Sequence, residues 1–212
     1  SMIKHLLIIF IILIPTHLTS FCQDKILLIN GKILTTNKIY NIDNKSIAFK
    51  KNKKSLFAKD TIKKIPTYSV FSIKYSSEEE KIIYQTDSTK GFILNTADMR
   101  AFIYGEQYAR IKIKANTATI IGFISGAIGG YYQFWGTPLP VVTSLLIGIR
   151  SPKCPKTCNS CDFEDYLNNK YFIAGYQDYG SKKKISNSVK GGIVGFLTTS
   201  LIISYISNHN WK

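Results

Sequence analysis

Two uncharged stretches in the second half of this chain limit every fold it can adopt. The first, residues 115–149, lies between Lys114 and Arg150; the second, 191–207, follows Lys190. Both place small residues four apart: Ala118, Gly122, Gly126 and Gly130 in the first, Gly191, Gly195 and Thr199 in the second. On an α-helix that spacing makes one flat stripe along which a second backbone can approach closely. The pattern predicts two glycine-striped transmembrane helices facing each other. One crossing takes about 20 residues, so the first run is too long for one helix and too short for two. Its break falls at Gly136, Pro138 and Pro140, residues that interrupt a helix. One crossing followed by a short re-entrant or interfacial segment, 141–149, fits the count best; a tight hairpin is the alternative.

The net charge of +15 raises the question of nucleic acid, but lysine supplies nearly all of it: Arg100, Arg110 and Arg150 are the only arginines. Bidentate phosphate and base contacts favour arginine. The excess reads as a lysine-rich solvated surface, and nucleic acid is not an expected partner.

At the start, Lys4 and His5 precede an apolar stretch, 6–14, then Pro15 and Ser20-Phe21-Cys22. That order of basic, apolar and small-residue regions predicts a cleaved signal peptide over residues 1–22. The bulky Phe21 argues against lipid attachment at Cys22.

Residues 23–87 have β texture. An apolar run from Ile26 meets Asn30-Gly31, a hairpin signal because both residues tolerate positive φ. Ile47 and Phe49 alternate onto one face, and an apolar pair follows at Leu56-Phe57. From Tyr68 to Tyr75 the alternation puts Val70, Ser72 and Lys74 on one face and Phe71, Ile73 and Tyr75 on the other. Five or six short strands predict a small antiparallel β-barrel or sandwich. The fold class is therefore α+β: this β-domain, then a helix, then glycine-rich transmembrane helices.

The connector, 88–114, contains a helix with Asn95 as N-cap and Asp98 in its first turn. Tyr104 and Tyr108 lie one turn apart, Glu106 and Arg110 form an i,i+4 pair, and Arg110, Lys112 and Lys114 precede the uncharged run. This predicts an interfacial helix, with tyrosines at headgroup depth and basic residues snorkelling; Trp135 is a further interfacial residue. A polar site built from Asp98, Arg100, Glu106 and Arg110 is the less favoured alternative, because charged residues before a span are usually solvated. Residues 150–188 read as a polar loop with a short helix around Tyr166, Lys170 and Ala174, limited by Gly175 and Gly180. Residues 189–208 form the C-terminal transmembrane helix, with Trp211 as a tail anchor.

Cys154, Cys158 and Cys161 have C-x3-C-x2-C spacing, that of the iron–sulfur site in radical S-adenosylmethionine enzymes. That family needs a large α/β barrel after the motif, and about fifty residues remain, too few for one. Zinc needs a fourth ligand; His209, in the far tail, would have to fold back. A disulfide with one thiol left over is the leading reading in an oxidising compartment, and a cluster of reduced thiols is the alternative. No metal or other cofactor is expected.

The leader puts the β-domain on the non-cytoplasmic side. One crossing then puts Lys182, Lys183 and Lys184 in the cytoplasm, as the positive-inside rule favours, while the run Arg110–Lys114 opposes it. A hairpin would put both basic flanks on one side.

Ser20-Phe-Cys-Gln23, the opening Asp24–Gly31, the Val70–Tyr75 strand, Met99–Gln107 and the glycine-rich helices together resemble a loose class of exported proteins of unknown function from Bacteroidota. The resemblance implies an envelope location and brings no catalytic residues. The expected function is a non-enzymatic, membrane-integral envelope protein. Its β-domain serves as an interaction or scaffold module, its surroundings are membrane lipid, and its partner is a second copy or another envelope protein. A subunit of a transport, pore or secretion complex is the alternative, and a metal- or thiol-dependent enzyme a weaker one. The mature chain holds no nucleophile elbow, phosphate loop or carboxylate pair in an apolar setting.

Overall fold

The computed structural model describes residues 23–43, 45–51, 62–77, 79–87, 91, 93–155 and 163–209. The expected signal peptide, Leu56-Phe57, Cys158, Cys161 and Trp211 lie outside them.

Six strands come first: β1 (Asp24–Leu28), β2 (Ile33–Ile42), β3 (Ser46–Lys51), β4 (Ile62–Pro66), β5 (Val70–Lys74) and β6 (Glu80–Ile82). They form one antiparallel sheet in the order β4-β3-β2-β1-β5-β6. The sheet is open, with β4 and β6 at its edges, and does not close into the expected barrel. The β1–β2 turn is built as its residues dictate. Gly31 sits at φ +71°, and the Asn30 side chain accepts from the Lys32 N–H at 3.2 Å.

The alternation expected along β5 does not hold. Pairing slips between Leu27 and Leu28, which face Ser72 and Val70, so Phe71 is an extra residue. Such a bulge sends the flanking side chains to different faces. Val70 and Ile73 therefore pack together with Ile26, Ile47 and Phe49. Phe71 joins Tyr84, Met99 and Ile103 on the other side.

That second cluster docks α1 (Thr96–Lys112) on the sheet. Its start is capped as the sequence indicates, with the Asn95 side chain accepting from the Asp98 N–H at 2.7 Å. Arg100 ties α1 to β6 through Glu80, at 3.0 Å. After a short break come α2 (Asn116–Tyr131), α3 (Pro138–Ile149) and α4 (Lys170–His209). The polar stretch 150–188 is thus helix from Lys170 onward. Gly175 and Gly180 do not limit it: α4 runs through both for 40 residues, about 60 Å at 1.5 Å per residue.

α4 is the spine. A Cβ on Gly105 of α1 would strike the Phe172 carbonyl, and one on Gly175 would strike that of Phe102. Glycine inside a helix costs about 1 kcal/mol against alanine; here it lets two backbones touch. Beside this contact lies an aromatic core of Tyr108, Phe172 and Tyr176, with Leu167 buried in it and Tyr104, Phe163 and Tyr166 packed against it. The expected interfacial helix is therefore corrected: Tyr108 is 2% exposed, and α1 is held between sheet and spine.

Candidate functional site

The farther half of α4 joins α2 and α3. Gly122, Gly126 and Gly130 lie against the backbone at Ser188, Gly192 and Phe196, while Gly191 and Gly195 lie against the carbonyls of Thr119 and Phe123. Residue numbers rise together in these pairs, so α2 runs parallel to α4. Ala118, the first small residue of the stripe, is buried. The helices α2 and α3 are separated by a 3-10 turn, Gln133–Gly136, in which Gly136 closes on Gly129. α3 then returns antiparallel to α4: Pro140 meets Gly192, Ser144 meets Ser188, and Gly148 meets Ile185. The first uncharged run is thus a hairpin, with Val141–Ile149 forming its second arm rather than an isolated remnant.

Where α3 meets α4, Ser144 and Ser188 are buried and their hydroxyls hydrogen-bond at 2.9 Å. Neither serine stood out in the sequence. No periodic pattern marks them: Ser144 follows Thr143 in α3, and Ser188 closes the largely polar run Lys182–Ser188 of α4, so neither is set apart from its polar neighbours.

The outward faces of these helices are apolar. Ile120, Ile124 and Ile128 on α2, Val141, Leu145 and Leu146 on α3, and Ile193, Leu197, Leu201 and Ile202 on α4 are all exposed. A water-facing bundle buries such side chains; this one turns them out and puts glycine and serine inside. Among the described residues, α4 is the one helix long and apolar enough to cross a membrane. α2 has 16 residues and α3 has 12, about 24 and 18 Å. Both fall short of a hydrocarbon core of about 30 Å.

The basic residues gather at the opposite end from the hairpin turn. Lys183 donates to the Arg110 carbonyl and Lys184 to the Arg150 carbonyl, each at 3.2 Å. These contacts bring the ends of α1 and α3 to one level of α4, with Lys112, Lys114 and Arg150 exposed around it. Ammonium groups at the C-terminal ends of helices also meet the negative end of the helix dipole. The four residues expected at an interface therefore separate. Arg110 lies 4.5 Å from the Tyr179 ring and donates to the Asn30 carbonyl at 3.2 Å. Lys112 and Lys114 stay in the basic ring. Trp135, 87% exposed, stands at the hairpin turn, near the level of Phe196. That is about 18 Å along α4 from Lys184.

Glu106 sits where the sheet, α1 and α4 meet. It is 6% exposed, beneath Gly31, and its Oε2 has no hydrogen-bond partner among the described residues. Burial, reinforced by Asp178, pushes its carboxyl up to about 7 against the pull of Lys182 and Arg110. Of the alternative polar cluster, Arg100 is engaged by the Glu80 ion pair, and Asp98 stands at the helix start, where its backbone N–H donates to the cap; the two do not gather around Glu106 as one site.

Cys154 is half-buried against the Tyr108–Tyr176 core, without a disulfide, and burial raises its thiol pKa. A buried, protonated thiol is a poor nucleophile. Among the described residues no three His, Cys, Asp or Glu side chains are grouped to hold a metal.

Comparison with protein-family models, curated proteins and solved structures gave no match for this chain.

Proposed function

We propose that this chain is a membrane-anchored envelope protein whose α+β head is a non-catalytic interaction or scaffold module. The observation that carries the reading is the reversed polarity of the α2–α3–α4 bundle, apolar outside and glycine- and serine-lined inside, above a ring of cations. From Lys184 to Ser207, α4 covers about 34 Å, enough for one crossing. The hairpin enters beside it and turns back deep in the bilayer. Its 3-10 turn pairs part of the backbone at that depth, where hydrocarbon offers no other partner.

The polar groups of the head support structure rather than chemistry. Arg100 holds β6, Arg110 holds the β1–β2 turn, and Glu106 underlies Gly31. A transport role has less support, because glycine contacts bring α2 and α4 together and leave no lumen between them. The glycine stripe is covered by the chain's own α4, so a second copy or an envelope partner would bind the head or the outer helix faces.

The leader, the first apolar segment to be read, puts the head on the non-cytoplasmic side. The cation ring, on the same side as the head, works against that orientation by the charge rule. Single cysteines in a background without the native ones test both points. An impermeant maleimide should label Lys153→Cys in intact cells and leave Ile124→Cys and Leu145→Cys unlabelled, although both are exposed in the isolated fold. Equal labelling of all three would refute the membrane reading. Labelling of Lys153→Cys only after permeabilisation would reverse the orientation.

A further inference from the structure

We infer that the groove between the bases of α2 and α3 binds the phosphate headgroup of an anionic glycerophospholipid, with an acyl chain along its apolar wall. This rests on the membrane reading above. The groove has a volume of about 470 Å³; Lys114, Arg150 and Lys184 line one end, and Ile121, Leu146 and Ile147 line its length. The three cations come from three places in the chain: the α1–α2 link, the end of α3, and α4. Lys184 is held at the groove by its 3.2 Å bond to the Arg150 carbonyl, which leaves two ammonium hydrogens for another acceptor.

The groove's own lining supplies no counter-charge, since none of its residues is Asp or Glu. No Asp or Glu occurs in residues 107–161 or after Asp178, and Asp178 is paired with Lys182 at 2.6 Å. The first turn of α2 adds to the demand: Ala115 gives it no side-chain cap, so its first N–H groups, which have no partner within the helix, lie at the same end as the cations. A lipid phosphate satisfies these groups at headgroup level. Its acyl chain follows the wall toward the hairpin turn, the combination expected of basic pockets between membrane helices.

The test uses the full chain in vesicles of phosphatidylcholine and phosphatidylglycerol. The protein is extracted in mild detergent and the retained lipid measured by native mass spectrometry. Phosphatidylglycerol should be enriched over its share of the vesicles. Each of Lys114→Gln, Arg150→Gln and Lys184→Gln should lower its retention about five-fold. Leu146→Trp, which fills the groove without changing charge, should lower it as well, and Lys112→Gln, outside the groove, should do so far less. Equal losses from Lys112→Gln and Lys184→Gln, or full retention in Leu146→Trp, would indicate diffuse surface attraction and overturn the site. Displacement of the lipid by inorganic phosphate alone would overturn the lipid assignment in favour of a free phosphate. Entry into neutral vesicles without phosphatidylglycerol preference refutes this site and leaves the anchor reading standing; failure to enter neutral vesicles refutes both.

Discussion

Replacing Glu106 with glutamine tests the join between head and spine, because the structure fixes both the sign and the size of the effect. In the folded chain this carboxyl titrates at about 7 rather than 4.5, a difference worth about 3 kcal/mol in favour of the neutral form. The sign follows from proton binding. Below the unfolded value both states hold the proton, and the folded state has its full stability. Between that value and about 7 the folded state keeps a proton that the unfolded chain has released, so stability falls as pH rises. Above about 7 the buried carboxylate is charged, and about 3 kcal/mol has been lost. Three charged groups modulate this: Asp178 raises the value, while Lys182 and Arg110 lower it. Glu106→Gln keeps the shape and removes the titration. Thermal unfolding of purified protein in detergent, followed from pH 4 to 9, should show the parent losing stability with a midpoint between those values. The variant should change little in that window. At pH 8 the variant should melt higher, by roughly 6–12 °C for a chain of this size. Parallel pH profiles for the two proteins would refute the placement of Glu106 as a buried, unpaired acid.

Two further substitutions probe the glycine contacts. A Cβ on Gly126 overlaps the Gly192 carbonyl, so Gly126→Ile should force α2 off α4 and destabilise the bundle by about 3 kcal/mol, at the upper end of overpacking costs. SDS-induced unfolding should report that loss, while Ile124→Ala, on the exposed face of the same helix, should be near neutral; equal effects would refute the α2–α4 packing. Gly31→Ala meets both a positive φ of +71° and Glu106, whose Cβ is 3.1 Å from the added atom, and should cost about 1–2 kcal/mol. An unchanged melting temperature would count against this geometry for the β1–β2 turn.

Features decided within a few residues were legible in the sequence. The Asn30-Gly31 turn, the Ile47/Phe49 alternation and the Asn95 cap each depend on local geometry, and each appears where its residues put it. Features decided by a distant partner were not. The slip opposite Leu27 and Leu28 turns Phe71 around, and β5 alone carries no sign of it. Tyr104 and Tyr108 suit a membrane surface as well as a core; the choice was made by Phe163, Tyr166 and Phe172, more than fifty residues later. Pro138 and Pro140 announce that the first uncharged run breaks, yet not which way it turns. The direction is set by Ser144 on Ser188 and by Gly148 on Ile185.

Glycine shows the same division most clearly. At Gly122 and Gly126 a four-residue repeat separated packing from punctuation. Gly105 and Gly175 have no such repeat, so in the sequence Gly175 reads as a helix end, whereas in the fold it is a point of backbone contact with α1. The contact works because α4 continues unbroken past it, one helix carrying an aromatic core at one end and a glycine seam at the other. That continuity couples the two halves of the molecule. A tilt of α4 in its apolar half must be transmitted through Ser188 and Gly180 to the Phe172–Tyr176 core, and from there to α1, Glu106 and the sheet. The head is therefore fixed in direction relative to the bundle. A flexible tether would leave the head free to turn, whereas here one unbroken helix belongs to both the aromatic core and the glycine seam.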